Sequence, residues 1–481
     1  MATQRPNIIL ITTDQQRGDC LGIEGRHPVM TPNLDALARS GCRFTRAYTE
    51  CPSCIPARRV LMTGQAPWVN GMVGMTADPN FTPTHTLPGE LGKAGYHTQL
   101  VGKLHLQPQR RRFGFDNILL SDLQWKHDHM PHNDYVDWLE ERGGAPPVPG
   151  MAHGIDPNGW VARPSHQPEQ EMHSFWCVSE AIKFLDRRDP NGPFFLNLSF
   201  IDPHPPLTPP AHYYDRYMAM DLPEPVIGDW AEERPEPEKG LATDAWRLRI
   251  DKAAMKSTRA GYYGLINFVD DQIGRLIFAL RIRGLYRNLV IVFTSDHGEM
   301  LGDHNMFRKT FGYEGSAHVP FIVWATPDLE WPSEVVSDAP VGLQDIMPTV
   351  LDAAGVATPD DVTGRSLLPL VRRESDDWRE HIHGEHAGHY EYADGVHYLV
   401  SRSHKYLWFS QTGAEQFFDL VNDPDELHDI AREPNAETQL RPWRDALMHV
   451  LRDRPEGFTD GARLIPGRPH INLIRDVKPA R

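Results

Sequence analysis

Residues 7–12 read NIILIT, an apolar run with no polar alternation, and this pattern predicts a strand covered on both faces. Four further runs repeat it: HTQLV (97–101), PFFLNLSF (193–200), NLVIVFTS (288–295) and VPFIVWA (319–325). Helical patterns lie between them. TPNLDALARSG (31–41) offers Thr31 as N-cap, Pro32 at the first helical position and Gly41 as a stop. Residues 257–284 keep an apolar stripe over several turns, and LQDIMPTVLDAAG (343–355) ends on a glycine. Strands alternating with helices predict an α/β fold, a large and mostly parallel sheet between helices.

Working outward, two stretches fit neither period. Residues 105–172 and the Pro/Glu-rich 221–240 read as long excursions, either plain surface loops or lids and substrate walls. Beyond residue 375 the texture changes: VHYLVSRSHKYLWFS (396–410) holds two β-rich runs joined near Ser403 and His404, and a last helix is expected near 436–453. The expected division is therefore 1–375, the main domain, and 376–481, a smaller C-terminal α+β subdomain and tail. The tail RLIPGRPHINLIRDVKPAR (463–481), apolar and basic by turns, suits a strap on its own subunit or a contact within a homo-oligomer.

Composition narrows the function. The chain has 481 residues, 40% hydrophobic and 24% charged, enough for a large core. Lys+Arg 49 against Asp+Glu 65 leaves a net charge of −16, which argues against a general nucleic-acid binder. An anionic ligand must then meet a local cluster of positive charge. Nothing approaches a membrane span, and the short apolar run near the start is no signal peptide, so a cytoplasmic location is expected, or a periplasmic one had a signal been removed. Five cysteines in so long a chain exclude a disulfide scaffold.

Ligands of open parallel sheets gather at the carboxyl ends of strands. The first strand delivers Asp14 and Gln15 there; HTQLV delivers Lys103 and His105; PFFLNLSF delivers Asp202 and His204; NLVIVFTS delivers Asp296 and His297. Each pair alone reads equally well as a turn or a cap, but four such pairs at one edge point to a composite site. Asp14, Gln15, Asp296 and His297 form an oxygen-rich set suited to calcium, magnesium or manganese. Separately, CPSCIPARRVLMTG (51–64) puts Cys54 at the start of a helix, where anions are favoured, with Arg58 one turn on along the same face. A nucleophile beside a helix N-terminus and a guanidinium suits a tetrahedral oxyanion. Cys51 and Cys54 also make a CxxC pair, but zinc would need two more soft ligands, and Cys20, Cys42 and Cys177 are scattered singly.

Cys54-Ile55-Pro56-Ala57-Arg58 resembles the C-x-P-x-R signature of the type I sulfatases, members of the alkaline phosphatase superfamily. PNIILITTDQ (6–15), TPNLDALARSGCRFTRAY (31–48), VGKLHL (101–106), FIDPHPP (200–206), TSDHGEMLGDH (294–304), Lys309 and YEGSAHVPFIV (313–323) resemble family blocks in family order. EQFFDLVNDPDELHDIA (415–431) resembles the usual C-terminal subdomain. The resemblance implies an alkaline-phosphatase-like fold and a sulfuric ester hydrolase, cleaving small-molecule or saccharide sulfate monoesters. It also implies that a formylglycine-generating or anaerobic sulfatase-maturing enzyme converts Cys54 to Cα-formylglycine, whose hydrate is the nucleophile. By family position Asp14, Gln15, Cys54, Asp296 and His297 surround one divalent cation, while Arg58 orients the hydrate and Lys103 and Lys309 bind sulfate oxygens. His105 takes a proton from the hydrate, and His204 serves the leaving oxygen.

Two departures bear on the substrate. Many sulfatases have two adjacent aspartates where this chain has Asp14-Gln15, and Asp-Asn where it has Asp296-His297. The pairs present here look more like choline sulfatases and phosphonate monoester hydrolases, and the exchange of a carboxylate for a nitrogen donor brings manganese closer while calcium stays the expectation. GKLHL pulls toward sulfate, because it retains Lys103 and His105. The readings carried forward are a sulfate monoester hydrolase, a phosphonate monoester or phosphodiester hydrolase, and a catalytically silent anion-binding relative. Aryl sulfate, choline sulfate and sulfated sugar would be told apart by walls for which Trp125, His127, His129, Trp160 and His386 are candidates.

Overall fold

A computed structural model describes residues 5–123, 131–142, 155–231, 243–375 and 377–475. Trp125, His127 and His129, and residues 232–240 of the second excursion, lie outside the described residues.

The first run becomes the central strand β1 (Asn7–Asp14). The others follow in chain order: β2 (Cys42–Phe44), β3 (Ala47–Tyr48), β4 (His97–Gly102), β5 (Asn117–Leu120), β6 (Phe194–Pro203), β7 (Leu289–Ser295), β8 (Phe321–Ala325), β9 (Val335–Ser337) and β10 (Val341–Gly342). Eight of them form one sheet in the order β5-β4-β6-β1-β7-β8-β2-β9, while β10 and β3 pair separately. β1 runs parallel to both neighbours, β6 and β7. β8 is the exception, antiparallel to β7 and to β2.

The missing alternation now has its cause. Ile8 and Leu10 enter the core on one face of the sheet, Ile9 and Ile11 that on the other, and all four are fully buried. Each such side chain contributes about 1.5–3 kcal/mol of transfer free energy. One face is covered by the helix Cys54–Thr63 through Ala57, Val60 and Leu61, and by Ile346–Ala353. The other is covered by His173–Arg187 and the long helix Lys252–Ile282 through Val178, Ala181, Val269, Ile273 and Leu280.

Thr31 stands at the N-cap of the helix Pro32–Ser40, but its hydroxyl makes no capping bond. It accepts from Gly22 N (2.7 Å) and donates to Asp35 Oδ1 (2.8 Å). The first-turn amides of Asn33 and Leu34 instead donate to Asp270 on the long helix, at 3.0 and 2.8 Å, so the cap comes from across the fold. The first excursion also differs from expectation, for it contains β5 and the helix Asp134–Glu141, capped by Asn133.

The C-terminal part is an antiparallel sheet in the order β11 (Ile382–His386), β12 (Val396–Val400), β13 (His404–Phe409), β14 (Glu415–Asp419). One face takes the helix Ala436–Val450 through Leu440 and Leu447. The other packs Tyr398, Leu407 and Phe418 against Tyr48, Phe311 and Tyr313 of the main body. The tail through residue 475 straps its own chain: Val73 N donates to Asn472 O (3.0 Å), and Gly467 N to Ser410 O (2.9 Å).

Candidate active site

The carboxyl ends of β1, β4, β6 and β7 converge with the N-terminus of the helix Cys54–Thr63. β1 ends at Asp14, where the chain turns sharply; Gln15 has φ +70°, and its N–H donates to Asp296 Oδ1 (3.1 Å) just past β7. Tyr262 of the long helix fixes the same turn by donating to Gln15 O (2.6 Å).

Cys54 is buried with its sulfur 3.4 Å from His297 Nε2 and 3.2 Å from Lys309 Nζ. Burial and the Asp14 carboxylate oppose ionisation, yet Lys309, Lys103 and a hydrogen bond from His105 outweigh them and hold the thiol well below its usual range. Arg58, one turn along, donates from Nε to Asp296 Oδ2 and from Nη1 to Lys103 O and Ser199 Oγ, each at 2.9 Å. Lys103 is itself buried against Asp14 Oδ2. The main-chain N–H of His105, at φ +54°, donates to Asp122 Oδ1 (2.6 Å).

The two aspartates are driven apart. Burial disfavours the charge of Asp14, but Lys103, His204, Lys309 and His297 overcome it and keep that carboxyl well below the ordinary range. Asp296 is pushed up, by burial and by Asp14 itself. His204 is pushed down to about 3 by burial and by Lys309, and its Nδ1 lies 2.7 Å from Pro205 O, which leaves Nε2 to face the site.

Ligand atoms of Asp14, Cys54, Asp296 and His297 lie within 4.8 Å of one another. Asp14 Oδ1 is buried without a hydrogen-bond partner among the described residues, so the set has an open acceptor where a cation would sit. Every catalytic or metal-ligating residue that the resemblance implies is thus in one cluster, while Asp202 instead accepts from the Ser174 hydroxyl. The wall candidates fare differently. Trp160 is half-buried against Phe307 (6.5 Å between rings) and lines a small, partly open cavity with Glu299 and Arg308 beside the cluster. His386 is buried beside the nucleophile's neighbour, its Nε2 2.9 Å from the hydroxyl of Ser53. Ser199, Glu299, Tyr262 and Asp122 belong to the site and were not singled out from sequence; Ser199 and Glu299 lay inside the quoted strand and DHGE stretches.

A family model described as Sulfatase matches residues 6–356. The chain belongs to the sulfatase family. A second model, N-sulphoglucosamine sulphohydrolase, C-terminal, matches residues 302–452 of this sulfatase. An arylsulfatase of Clostridium perfringens (strain 13 / Type A) is 43% identical, with 98% of this chain and 100% of the relative covered. The multifunctional alkaline phosphatase superfamily protein PehA of Trinickia caryophylli is 30% identical, covering 95% and 99%. Among solved structures, the phosphonate monoester hydrolase of Agrobacterium radiobacter superposes with a TM-score of 0.76 at 25% identity, covering 97% and 100%. A protein in complex with its substrate D-glucosamine-2-N,6-O-disulfate also superposes at 0.76, with 22% identity and 93% and 98% coverage, a likeness of fold. Among the described residues no helix is long and apolar enough to cross a membrane.

Proposed function

We propose that this sulfatase hydrolyses sulfate monoesters, most readily those of phenols, through a formylglycine made from Cys54 by a maturing enzyme. The observation that carries the reading is the crowding of Arg58, Lys103 and Lys309 around one buried sulfur at a helix N-terminus. In the hydrated aldehyde, one hydroxyl oxygen forms a bond to sulfur while the sulfur–alkoxy bond breaks and the alcohol leaves. The second hydroxyl gives its proton to His105, the aldehyde carbonyl re-forms, the carbon–oxygen bond to the sulfate breaks, and water adds back to the aldehyde. His204, with its Nδ1–H on Pro205 O and Nε2 left as an acceptor, takes the proton released by the attacking hydroxyl and passes it from Nε2 to the leaving oxygen; its depressed basicity makes that second transfer easy.

Asp14, Gln15, Asp296 and His297 fit a divalent cation, calcium first and manganese second. When bound, it would neutralise charge on the attacking oxygen. An aryl leaving group suits the mouth beside Lys309, where Tyr390 accepts from the Lys309 main-chain N–H and stacks on Trp246, 5.1 Å between rings at 17°. The arylsulfatase relative points the same way. We assign the chemistry to residues 1–375, with 376–481 as the subdomain that carries Tyr390.

The test is kcat/KM on p-nitrophenyl sulfate, choline sulfate, a sulfated glucosamine and a p-nitrophenyl phosphonate ester. The aryl sulfate should be the best substrate. Lys103→Ala should lower sulfate turnover about a hundredfold, and diester turnover less, because a diester offers one fewer nonbridging oxygen. Preference for the phosphonate, or equal loss of both activities in the variant, contradicts the sulfate assignment.

A further inference from the structure

Gln15 sits between two partners that each allow one orientation of its amide. Lys309 Nζ can only donate, and it donates to Gln15 Oε1 (2.9 Å) as well as to the Cys54 sulfur (3.2 Å). At the other end Gln15 Nε2 donates to Oε2 of Glu299, a buried carboxylate from the loop after β7. The second oxygen of Glu299 is already occupied: Oε1 accepts from Leu301 N (2.9 Å) and from Arg308 N. Glu299 therefore receives three N–H groups, two on one oxygen and one on the other. Arg308 directly precedes Lys309, so the same carboxylate also ties down the main chain that carries the lysine.

We propose that Glu299 is a positioning residue that sets which end of the Gln15 amide faces the cation and sulfate side of the site. The inference rests on the cation reading given above. An amide at a metal site binds through oxygen, so a reversed Gln15 would present N–H₂ to the cation and to the Lys309 ammonium. Family-type aspartate pairs need no such device, because a carboxylate is the same at both ends; the glutamine here does.

The isosteric change Glu299→Gln separates this role from simple packing. The one carbonyl oxygen left at position 299 is claimed by Leu301 N and Arg308 N, which turns the new NH₂ toward the Gln15 NH₂. Gln15 must then reverse. Adding Gln15→Glu removes the conflict, since a carboxylate there accepts both from the amide introduced at position 299 and from Lys309, and the net charge returns to that of the wild type.

Calcium and manganese binding to the full-length protein, the single variants and the double variant is measured by titration calorimetry, beside melting temperatures in chelator. Glu299→Gln should weaken binding about tenfold or more, and the double variant should recover most of the loss. Wild-type affinity in Glu299→Gln, or a double variant as weak as the single, overturns the proposal. Should Glu299→Gln fail to fold, the chelator-treated Gln15→Glu protein, with two carboxylates facing each other, must melt below the double variant; an equal or higher melting temperature overturns it too. A wild-type protein that binds neither ion would sink the cation reading instead, and the melting comparison would still decide the orientation of Gln15.

Discussion

Two buried clusters of charge in this molecule are built to opposite rules. Around Arg454, under the small sheet, Nη1 reaches both oxygens of Glu385 (2.8 and 2.6 Å) while Nε and Nη2 reach Glu456 (3.2 and 2.7 Å). Every nitrogen of that guanidinium has a carboxylate oxygen. Around Arg58, at the carboxyl edge of the large sheet, Nη2 has no hydrogen-bond partner among the described residues, and neither has Asp14 Oδ1 or His105 Nδ1. A buried polar atom left open costs about 1–3 kcal/mol, so a fold tends to close such positions unless something else completes them. The matched cluster holds the fold together, whereas the open one is shaped for groups that arrive later.

The comparison can be broken on its matched side first, where the expected effect is largest. Arg454→Ala leaves Glu385 and Glu456 buried without their cation, which should lower stability by about 3–5 kcal/mol in urea unfolding. Turnover per folded molecule should stay near that of the wild type. A variant of unchanged stability, or one that folds fully yet loses turnover, would mean the two clusters do not divide stability from function in this way.

A smaller effect sharpens the open side. His173, buried at the start of the helix His173–Arg187, is pushed down from 6.5 to about 3 by burial and by the surplus charge of Lys103. Above pH 6.5 the imidazole is neutral in both the folded and the unfolded chain. Below that, only the unfolded chain takes the proton, so the contribution to stability is present above the unfolded value and is lost as pH falls toward about 3. His173→Phe should therefore make the loss of stability between neutral and mildly acidic pH shallower, by up to about 1.4 kcal/mol per pH unit, as read from urea midpoints. An unchanged slope would remove His173 from the reach of that field.

How much of this was legible in the sequence follows from distance along the chain. β1, β4, β6 and β7 were readable because burial on both faces leaves unbroken apolar runs, and their carboxyl ends pointed to Asp14, Lys103, His204 and Asp296 together. Strands of only three residues, β2 and β9, carry no periodic signal. Thr31 holds the N-cap position of Pro32–Ser40 as its sequence suggests, but the acceptor for the first amides is Asp270, 237 residues beyond Asn33. Glu299 and Ser199 escape a reading of the sequence for the same reason: each acts through a hydrogen bond to a residue far away in sequence, and only the folded chain shows which one. β11 carries His386 inward against Ser53, a contact that its sequence neighbours Glu385 and Ala387 do not announce.

The central claim is that the buried sulfur of Cys54 is only a precursor of the working nucleophile. Peptide mass spectrometry across residues 50–58, on protein produced with the maturing enzyme and assayed on p-nitrophenyl sulfate, tests it most directly. Expected are an aldehyde in place of the thiol at Cys54, an unmodified Cys51, turnover proportional to the converted fraction, and at least about a thousandfold loss in Cys54→Ala. Full turnover from protein whose Cys54 remains a thiol, or conversion at Cys51 instead, would contradict it.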